Sequence, residues 1–121
     1  MLEKFRTRYL GDGKWDNKEF TVTNSGTVVT LYFQASGTDS SDDTNNIYKR
    51  YYNLGRGANH INIRPSAVVT ITGAKMTNGV LITFSDPITV QTTGYKRDYC
   101  DLEYLILNVA TASTQLKIEA S

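Results

Sequence analysis

The sequence has little of what most catalytic or secreted domains use: it contains one cysteine, one histidine and two prolines in 121 residues. Since Cys100 has no partner cysteine in the chain, an intramolecular disulfide is excluded, and a reducing compartment is expected. The sequence also contains no HExxH, CxxC or GxSxG motif and no phosphate-cradling glycine loop. Its composition and motifs therefore indicate no familiar catalytic centre.

Long apolar runs and an excess of one charge are also absent. The first residues, MLEKFRTRYLG, interleave charged with apolar side chains and lack the apolar core of about 7–15 residues found in signal peptides. No apolar run approaches the roughly 20 residues that span a bilayer. With 13 Lys+Arg against 12 Asp+Glu, overall charge attracts neither nucleic acid nor an anionic membrane. We expect a cytoplasmically made protein without a membrane segment.

The sequence is instead rich in segments that alternate apolar and polar residues with a period of two. In Thr27–Ala35 every second residue is apolar, as a half-buried strand requires. The turn residues of Asn24–Gly26 predict a hairpin between this strand and the one before it. The other predicted strands are Glu19–Thr23, Ile47–Leu54, His60–Arg64, Ala67–Gly73, Val80–Ser85, Pro87–Val90, Leu102–Val109 and Gln115–Ala120, with Glu3–Tyr9 as a further edge strand.

This pattern predicts an all-β fold with essentially no helix, because no window repeats apolar residues at helical spacing. Strands that follow one another every 8–12 residues or so favour an antiparallel β-sandwich of about 8–10 short strands, of jelly-roll or immunoglobulin-like type. A chain of this length fits one core. We expect residues 1–18 to form an N-terminal arm or edge strand and residues 19–121 to form a single sandwich domain.

One acidic stretch, GTDSSDDTNN, raises the question of a metal site through Asp39, Asp42 and Asp43. Asp39 and Asp43 fall at the first and fifth positions of an EF-hand loop, but Thr44 stands where the glycine is needed and Arg50 where the last carboxylate is needed. We therefore expect no bound metal. The stretch is interpreted as a polar loop that keeps one end of the domain soluble or docks against a basic neighbour.

An enzyme would have to use His60, with Cys100 as a distant candidate nucleophile. Neither residue has a supporting motif around it, and we interpret His60 as a turn or surface residue and Cys100 as a small core residue. A catalytic role for His60 would require a carboxylate within hydrogen-bond reach and a pocket. We expect a protein that is not an enzyme and uses no cofactor.

The strongest candidate for a binding surface combines tyrosine with arginine, which are enriched in protein interfaces. A protein interface and a plain, half-buried sheet surface are equally favoured, with stacking of nucleic acid or of a glycan as a lesser alternative. An N-terminal arm could add a strand to a neighbour through Phe5 and Tyr9, and Trp15 is interpreted as a core anchor. The predicted partner-contact residues are Tyr48, Arg50, Tyr52, Arg56, Tyr95 and Arg97.

The segments GANHINIRPSAVVTITGAKMTNGVLITFSDPITV and LEYLILNVATASTQLKIEAS resemble the β-sandwich structural proteins of tailed bacteriophages. The resemblance lies in strands rich in Thr and Val, in polar Gly/Asn turns and in a final hairpin after NVATAS. It implies a capsid decoration (cement) protein, a small sandwich that binds and stabilises a shell. It also implies a symmetric homo-oligomer such as a trimer, in which weak contacts add up.

We therefore expect a non-enzymatic structural protein of a virus particle that binds capsid or other virion subunits. The expected location is the virion, after synthesis in the host cytoplasm. The alternative is a carbohydrate-binding or other ligand-binding β-sandwich module, which would need two or three exposed coplanar aromatic rings on one sheet face. Tyr48 and Tyr52 could supply two of them.

Overall fold

The computed structural model describes residues 16–121, apart from the side chain of Tyr99. This part of the chain contains strands and turns and no helix, so the predicted all-β class is confirmed. The strands are β1 (Asp16–Val22), β2 (Thr27–Tyr32), β3 (Ser40–Asp42), β4 (Ile47–Tyr51), β5 (Ala58–Pro65), β6 (Val69–Met76), β7 (Leu81–Val90), β8 (Tyr95–Val109) and β9 (Thr114–Ala120).

All nine strands belong to one curled sheet, a half-barrel. Its main path runs β1-β9-β5-β8-β2-β4-β3, and β6 attaches to β8 and carries β7 on its other side. The pairing is antiparallel except between β2 and β4, which run parallel. The division into two separate sheets that a sandwich requires is not confirmed.

The longest strand, β8, is the element around which the sheet is organised. Its first part pairs with β5, and its second part lies between β2 and β6. The predicted strand Leu102–Val109 therefore lies in the middle of the sheet. Between the two parts, residues 99–101 of β8 stand opposite the single residue Asn59, and Asp101 has a φ of 44°. Such a bulge bends a strand and increases its twist. The two parts of β8 can therefore run in different directions and pair with different strands.

The core follows from the alternation of side chains along the strands. In β9, for example, Thr114, Leu116, Ile118 and Ala120 are buried while the residues between them are exposed. Each fully buried Leu or Ile side chain contributes about 1.5–3 kcal/mol relative to an exposed one. The free energy of folding therefore comes largely from the inner face of the curled sheet.

Two predicted hairpins are wrong. Asn24–Gly26 does form a turn, but β1 pairs with β9, and both edges of β2 are taken by β4 and β8. Likewise β8 does not pair with β9, whose neighbours are β1 and β5. Turn residues specify a reversal of direction, whereas pairing is decided by burial of apolar faces that are distant in sequence.

Several strand boundaries also differ from the predicted ones. Val80–Ser85 and Pro87–Val90 are parts of one strand, β7, which accommodates proline because it lies at the edge of the sheet. The acidic stretch contains the short strand β3, which pairs with β4. The expected end of the arm at residue 18 falls inside β1, and Glu3–Tyr9 and Trp15 lie outside the described residues.

The backbone of Gly57 lies so close to the β8 bulge that position 57 has no space for a Cβ atom. A Cβ on Gly57 would overlap the Cγ2 methyl of Thr77 and would lie 2.9 Å from Oδ1 of Asp101. Thr77 in turn donates a 2.6 Å hydrogen bond to Asp101. Gly57 and Thr77 therefore pack directly against the residue at which β8 bends.

We predict that Gly57→Ala lowers the free energy of unfolding by about 1–3 kcal/mol, because the added methyl has no space. Thr77→Ser removes the nearer obstacle while keeping a hydroxyl that can donate to Asp101. In the Thr77→Ser background the cost of Gly57→Ala should be smaller, which urea unfolding of the four proteins measures. A Gly57→Ala protein as stable as the wild type would contradict this close packing.

Candidate functional site

Three of the six predicted partner-contact residues are buried inside the domain. Tyr48, Arg50 and Tyr52 have exposures of 2%, 8% and 4%. They lie on alternate positions from β4 onwards and point to the inner face of the sheet, while Ile47 and Lys49 point outwards. Contact with a partner through these three side chains stays a prediction, and their burial leaves little surface for it.

Arg50 is held by stacking and by hydrogen bonds. Its guanidinium lies 4.1 Å from the ring centre of Phe20 on β1 and 5.3 Å from that of Tyr48. It donates to the carbonyl oxygen of Ser40 (2.7 Å), to that of Lys49 (2.9 Å) and to the hydroxyl of Ser41 (2.8 Å). A buried guanidinium is stable only when its donors are satisfied, and here β3 and β4 supply the acceptors.

The two tyrosines extend this packing across the curled sheet. The Tyr52 hydroxyl donates a 2.9 Å hydrogen bond to the carbonyl oxygen of Ile118 on β9. The Tyr48 hydroxyl donates to Asp43 at 2.6 Å, and its ring lies 6.3 Å from that of Phe20. The β1–β9 end of the sheet and the β3–β4 end are therefore joined by side chains.

The acidic stretch adds to this joint through its carboxylates. Asp39 accepts hydrogen bonds from Lys18 Nζ on β1 (2.9 Å) and from the Tyr51 amide (2.7 Å). Burial raises the pKa of Asp39, but these two donors outweigh burial and hold the pKa below its ordinary value. Lys18 of the same chain is thus a basic contact of this stretch, and docking against a basic neighbour stays a prediction.

Asp42 closes the turn that follows β3. It accepts hydrogen bonds from the side chain of Asn45 (2.9 Å) and from the backbone amides of Thr44 and Asn45. These bonds, led by the one from the Asn45 side chain, lower the pKa of Asp42. Within residues 16–121 no group of three His, Cys, Asp or Glu side chains converges on one point.

An aromatic row on the outer face was not predicted. Tyr51, Tyr32 and Tyr104 are register partners on β4, β2 and β8. The rings of Tyr32 and Tyr51 stack with centres 4.6 Å apart, and Tyr104 lies 6.0 Å from Tyr32 at 59°. A Cβ on Gly37 would overlap the Tyr51 ring. Because these rings pack against one another and against the chain, they do not form the flat platform that a glycan module needs.

The remaining predicted residues separate into two places. Arg56 lies in the loop before β5, where it donates a 3.0 Å hydrogen bond to the carbonyl oxygen of Gly57. Tyr95 and Arg97, at the start of β8, lie together at an apolar cleft. Phe5 and Tyr9 lie outside the described residues. The structure thus brings Tyr95 and Arg97 together and places neither of them beside the Tyr48–Tyr52 group.

This cleft, which we call the β7–β8 cleft, is the best-formed candidate binding site. Its volume is about 130 Å³. Its floor is apolar and buried, its walls are half-buried, and the exposed Arg97 is its one charged side chain. The floor consists of Ile61, Ile71, Ala74, Cys100, Leu102 and Leu105, and the walls consist of Met76, Ile82, Phe84, Ile88 and Tyr95.

The chain forms the cleft where β7 leaves the regular sheet. Residues 84–87 of β7 stand opposite the single residue Thr72 of β6, so that the strand swings out between two paired stretches. Phe84 and Ile88 nevertheless keep their side chains on the inner side, where they pack against the core. Sequence patterns missed this site because its residues come from four strands and no local motif joins them.

Cys100 forms part of the cleft floor, as expected for a small core residue. Its exposure is 3%, and its thiol donates to the carbonyl oxygen of Ala58 at 3.3 Å. Burial raises the pKa of the thiol, an effect that outweighs the nearby positive charge of Arg97. The neutral thiol is a weak nucleophile, because thiolates are the reactive form.

His60 lies in a separate, shallow depression. Its Nδ1 is 2.9 Å from Oδ1 of Asp98, and both side chains are more than a third exposed. The depression has a volume of about 260 Å³ and is also lined by Lys96, Glu119 and Ser121. The carboxylate and the pocket that a catalytic His60 would require are therefore both present. The part of the chain that the structure describes places no cysteine beside His60, because Cys100 faces Ala58.

Comparison of the chain with protein-family models, with curated proteins and with solved structures found no match. The resemblance to phage structural proteins therefore stays a prediction. In residues 16–121 no helix is present that could cross a membrane.

We predict that Tyr52→Phe lowers the free energy of unfolding by about 1 kcal/mol at neutral pH, because the carbonyl of Ile118 loses its donor. Burial also raises the pKa of the Tyr52 hydroxyl above its unfolded value of about 10. Below that value the hydroxyl is neutral in both states. Above it the hydroxyl ionises only in the unfolded chain, so this contribution to stability is lost as pH rises.

Urea unfolding of both proteins from about pH 8 to about pH 11 tests this assignment. The wild type should lose stability above about pH 10 more steeply than Tyr52→Phe, which lacks the hydroxyl. Parallel curves for the two proteins would mean that the Tyr52 hydroxyl ionises as readily in the folded state as in the unfolded one.

Proposed function

We propose that the protein is a non-enzymatic structural subunit that works by binding other protein subunits, as a capsid decoration protein of a virus particle does. The observation that supports it is the edge strand β7. In the described structure β7 spans ten residues and pairs with β6 alone. An unpaired edge offers backbone donors and acceptors to a strand from another chain.

Apolar side chains next to this edge add to its capacity for contact. Leu81, the first residue of β7, is 61% exposed, and Val80 before it is 52% exposed. Single exposed apolar residues are ordinary, but neighbouring ones beside an open edge are typical of interaction surfaces. Of the other two edge strands in residues 16–121, β1 is tied to the acidic stretch by the 2.9 Å pair of Lys18 with Asp39, and β3 is only three residues long. The β7 edge is therefore the better candidate interface.

Binding through β7 fits a symmetric assembly on a shell. A symmetric oligomer that binds several equivalent positions on a shell gains affinity, because one bound subunit raises the effective concentration of the next subunit at its own position. The contact at each position can then be small, and one edge strand with two exposed apolar side chains suffices. A homo-oligomer such as a trimer belongs to the same proposal.

We predict that Leu81→Lys weakens assembly, because a charge at this position opposes burial against a partner. Light scattering should give the wild type a mass of two or more times 13.5 kDa, or should show a gain in the mass of candidate capsids when the protein is added. Leu81→Lys should reduce either effect. Ile47→Lys, at a 44% exposed position on the outer face, is the matched control and should leave assembly unchanged.

The proposal fails if the wild type is a monomer that binds no candidate capsid, or if both lysine variants lose assembly equally. Because both positions are exposed, their unfolding midpoints should stay near that of the wild type. That comparison separates loss of contact from loss of folding.

The non-enzymatic part of the proposal is tested at His60. We predict that the wild type, His60→Ala and Asp98→Asn hydrolyse a chromogenic acetyl ester no faster than free imidazole at the same concentration. A wild-type rate well above that of imidazole, lost in both variants, would show that the His60–Asp98 pair acts as a general base. The protein would then be an enzyme.

A further inference from the structure

We propose that the β7–β8 cleft is a socket for one aromatic side chain of a partner subunit, and that Arg97 pairs with a carboxylate of the same partner segment. This inference rests on the proposed function and names the chemistry of the contact. Three observations carry it: the size and lining of the cleft, the charge at its mouth, and the strand edges beside it.

The size and lining of the cleft match an aromatic ring. An apolar cavity of about 150 Å³ can bind benzene, and the β7–β8 cleft, at about 130 Å³, is close to that size. Phe84 and Tyr95 stand in its walls, where an incoming ring can meet them edge to face. Met76 and Cys100 add polarisable sulfur, which also contacts aromatic rings favourably.

The charge at the mouth selects the rest of the ligand. Arg97 is exposed, and no carboxylate of the described residues lies within 4 Å of its guanidinium. Its neighbour Asp98 pairs with His60 instead. A guanidinium beside an apolar cavity favours a ligand with an apolar body and a carboxylate, which it can hold with two parallel hydrogen bonds.

The strand edges indicate how such a ligand arrives. Two edges flank the cleft: β7, which pairs only with β6 in the described structure, and residues 95–98 of β8, whose strand pairing is with β5. An extended segment laid along β7 places every second side chain on the inner side. One of these can enter the cleft while a residue two positions away brings a carboxylate to Arg97. In such strand additions the backbone provides affinity and the pocket provides specificity.

The chemistry can be tested on the full chain with small probes. N-acetyl-phenylalanine has the ring, a peptide amide and a carboxylate; N-acetyl-phenylalaninamide lacks the charge, and N-acetyl-alanine lacks the ring. The isoleucine methyl resonances of Ile71, Ile82 and Ile88 report on the cleft, and those of Ile47 and Ile118, which lie elsewhere, serve as controls. Titrations by NMR then give the affinity of each probe.

We expect N-acetyl-phenylalanine to shift the three cleft methyl resonances saturably and to leave both controls unchanged. N-acetyl-phenylalaninamide should bind about two- to fivefold more weakly, because an exposed charge pair adds only a modest free energy. Arg97→Gln should lower the affinity for the acid to that for the amide and leave the amide unaffected. N-acetyl-alanine should not bind.

Filling the cleft gives an independent variant. Ala74 lies on the floor, and Ala74→Leu places a larger side chain in the open space, so it should abolish binding of both aromatic probes. Its thermal unfolding shows whether the fold is kept. If it is not, Ile88→Trp serves the same purpose from a half-buried wall position.

The proposal is overturned if neither aromatic probe shifts the cleft resonances, if N-acetyl-alanine binds equally well, or if Arg97→Gln binds the acid as the wild type does. It is also overturned if, before any probe is added, the cleft methyl groups show contacts to residues 1–15, since the chain would then fill its own cleft. If the probes bind but the protein does not assemble, the cleft still has the proposed ligand chemistry and the proposed function is wrong. If the protein assembles through Leu81 but no probe binds, the proposed function holds and the proposed role of the cleft is wrong.

Discussion

The bend of β8 is the constraint on which the rest of the structure depends. One strand pairs with β5 before the bulge and with β2 and β6 after it, so the direction change at Asp101 decides how the whole sheet curls. The bend is held by close contact, since Thr77 donates a 2.6 Å hydrogen bond to Asp101 and a Cβ on Gly57 would lie 2.9 Å from Oδ1 of Asp101. Without it β8 would continue straight, and the β1–β9 end would not face β4.

The curl brings the two ends of the sheet together without closing a hydrogen-bonded barrel. The gap is bridged by Arg50, which reaches from β4 to the ring of Phe20, and by the Tyr52 hydroxyl, which reaches Ile118. A guanidinium suits this position because it stacks on rings through its flat faces while its edge donates hydrogen bonds. Within residues 16–121 no side-chain nitrogen or oxygen that is buried lacks a partner. The hydrogen bonds of Arg50 therefore offset part of the cost of burying its charge, which burial expresses by lowering the pKa of the guanidinium.

The sequence was sufficient for local features and insufficient for pairing. The alternation in Thr27–Ala35 and in Gln115–Ala120 predicted β2 and β9. The pairing partners of these strands could not be predicted from the sequence. An apolar face shows that one side of a strand is buried, but it does not show which strand lies next to it or covers it. The bulges at Thr72 and Asp101 also break the period of two. For that reason β8 was predicted at about half its length.

The same limits explain the candidate sites. A run of Tyr and Arg looks alike whether it covers a surface or fills a core, and Tyr48, Arg50 and Tyr52 became core because the curl places β1 and β9 over them. Tyr95 and Arg97 stayed near the surface because β8 is not yet joined to β6 at that point. Burial of an interface-like residue thus depends on where the sheet bends, and the bend arises from contacts about forty residues apart, between Gly57 and Asp101.

The position of the β7–β8 cleft follows from the same geometry. After the bulge, β8 supports β6, and β6 supports β7, whereas before the bulge β8 is supported by β5 alone. The sheet therefore divides into two parts that diverge on the side of β7, and the apolar inner residues of both parts face the opening. In the described structure no strand fills it. Apolar side chains at such a divergence gain free energy from any strand that covers them.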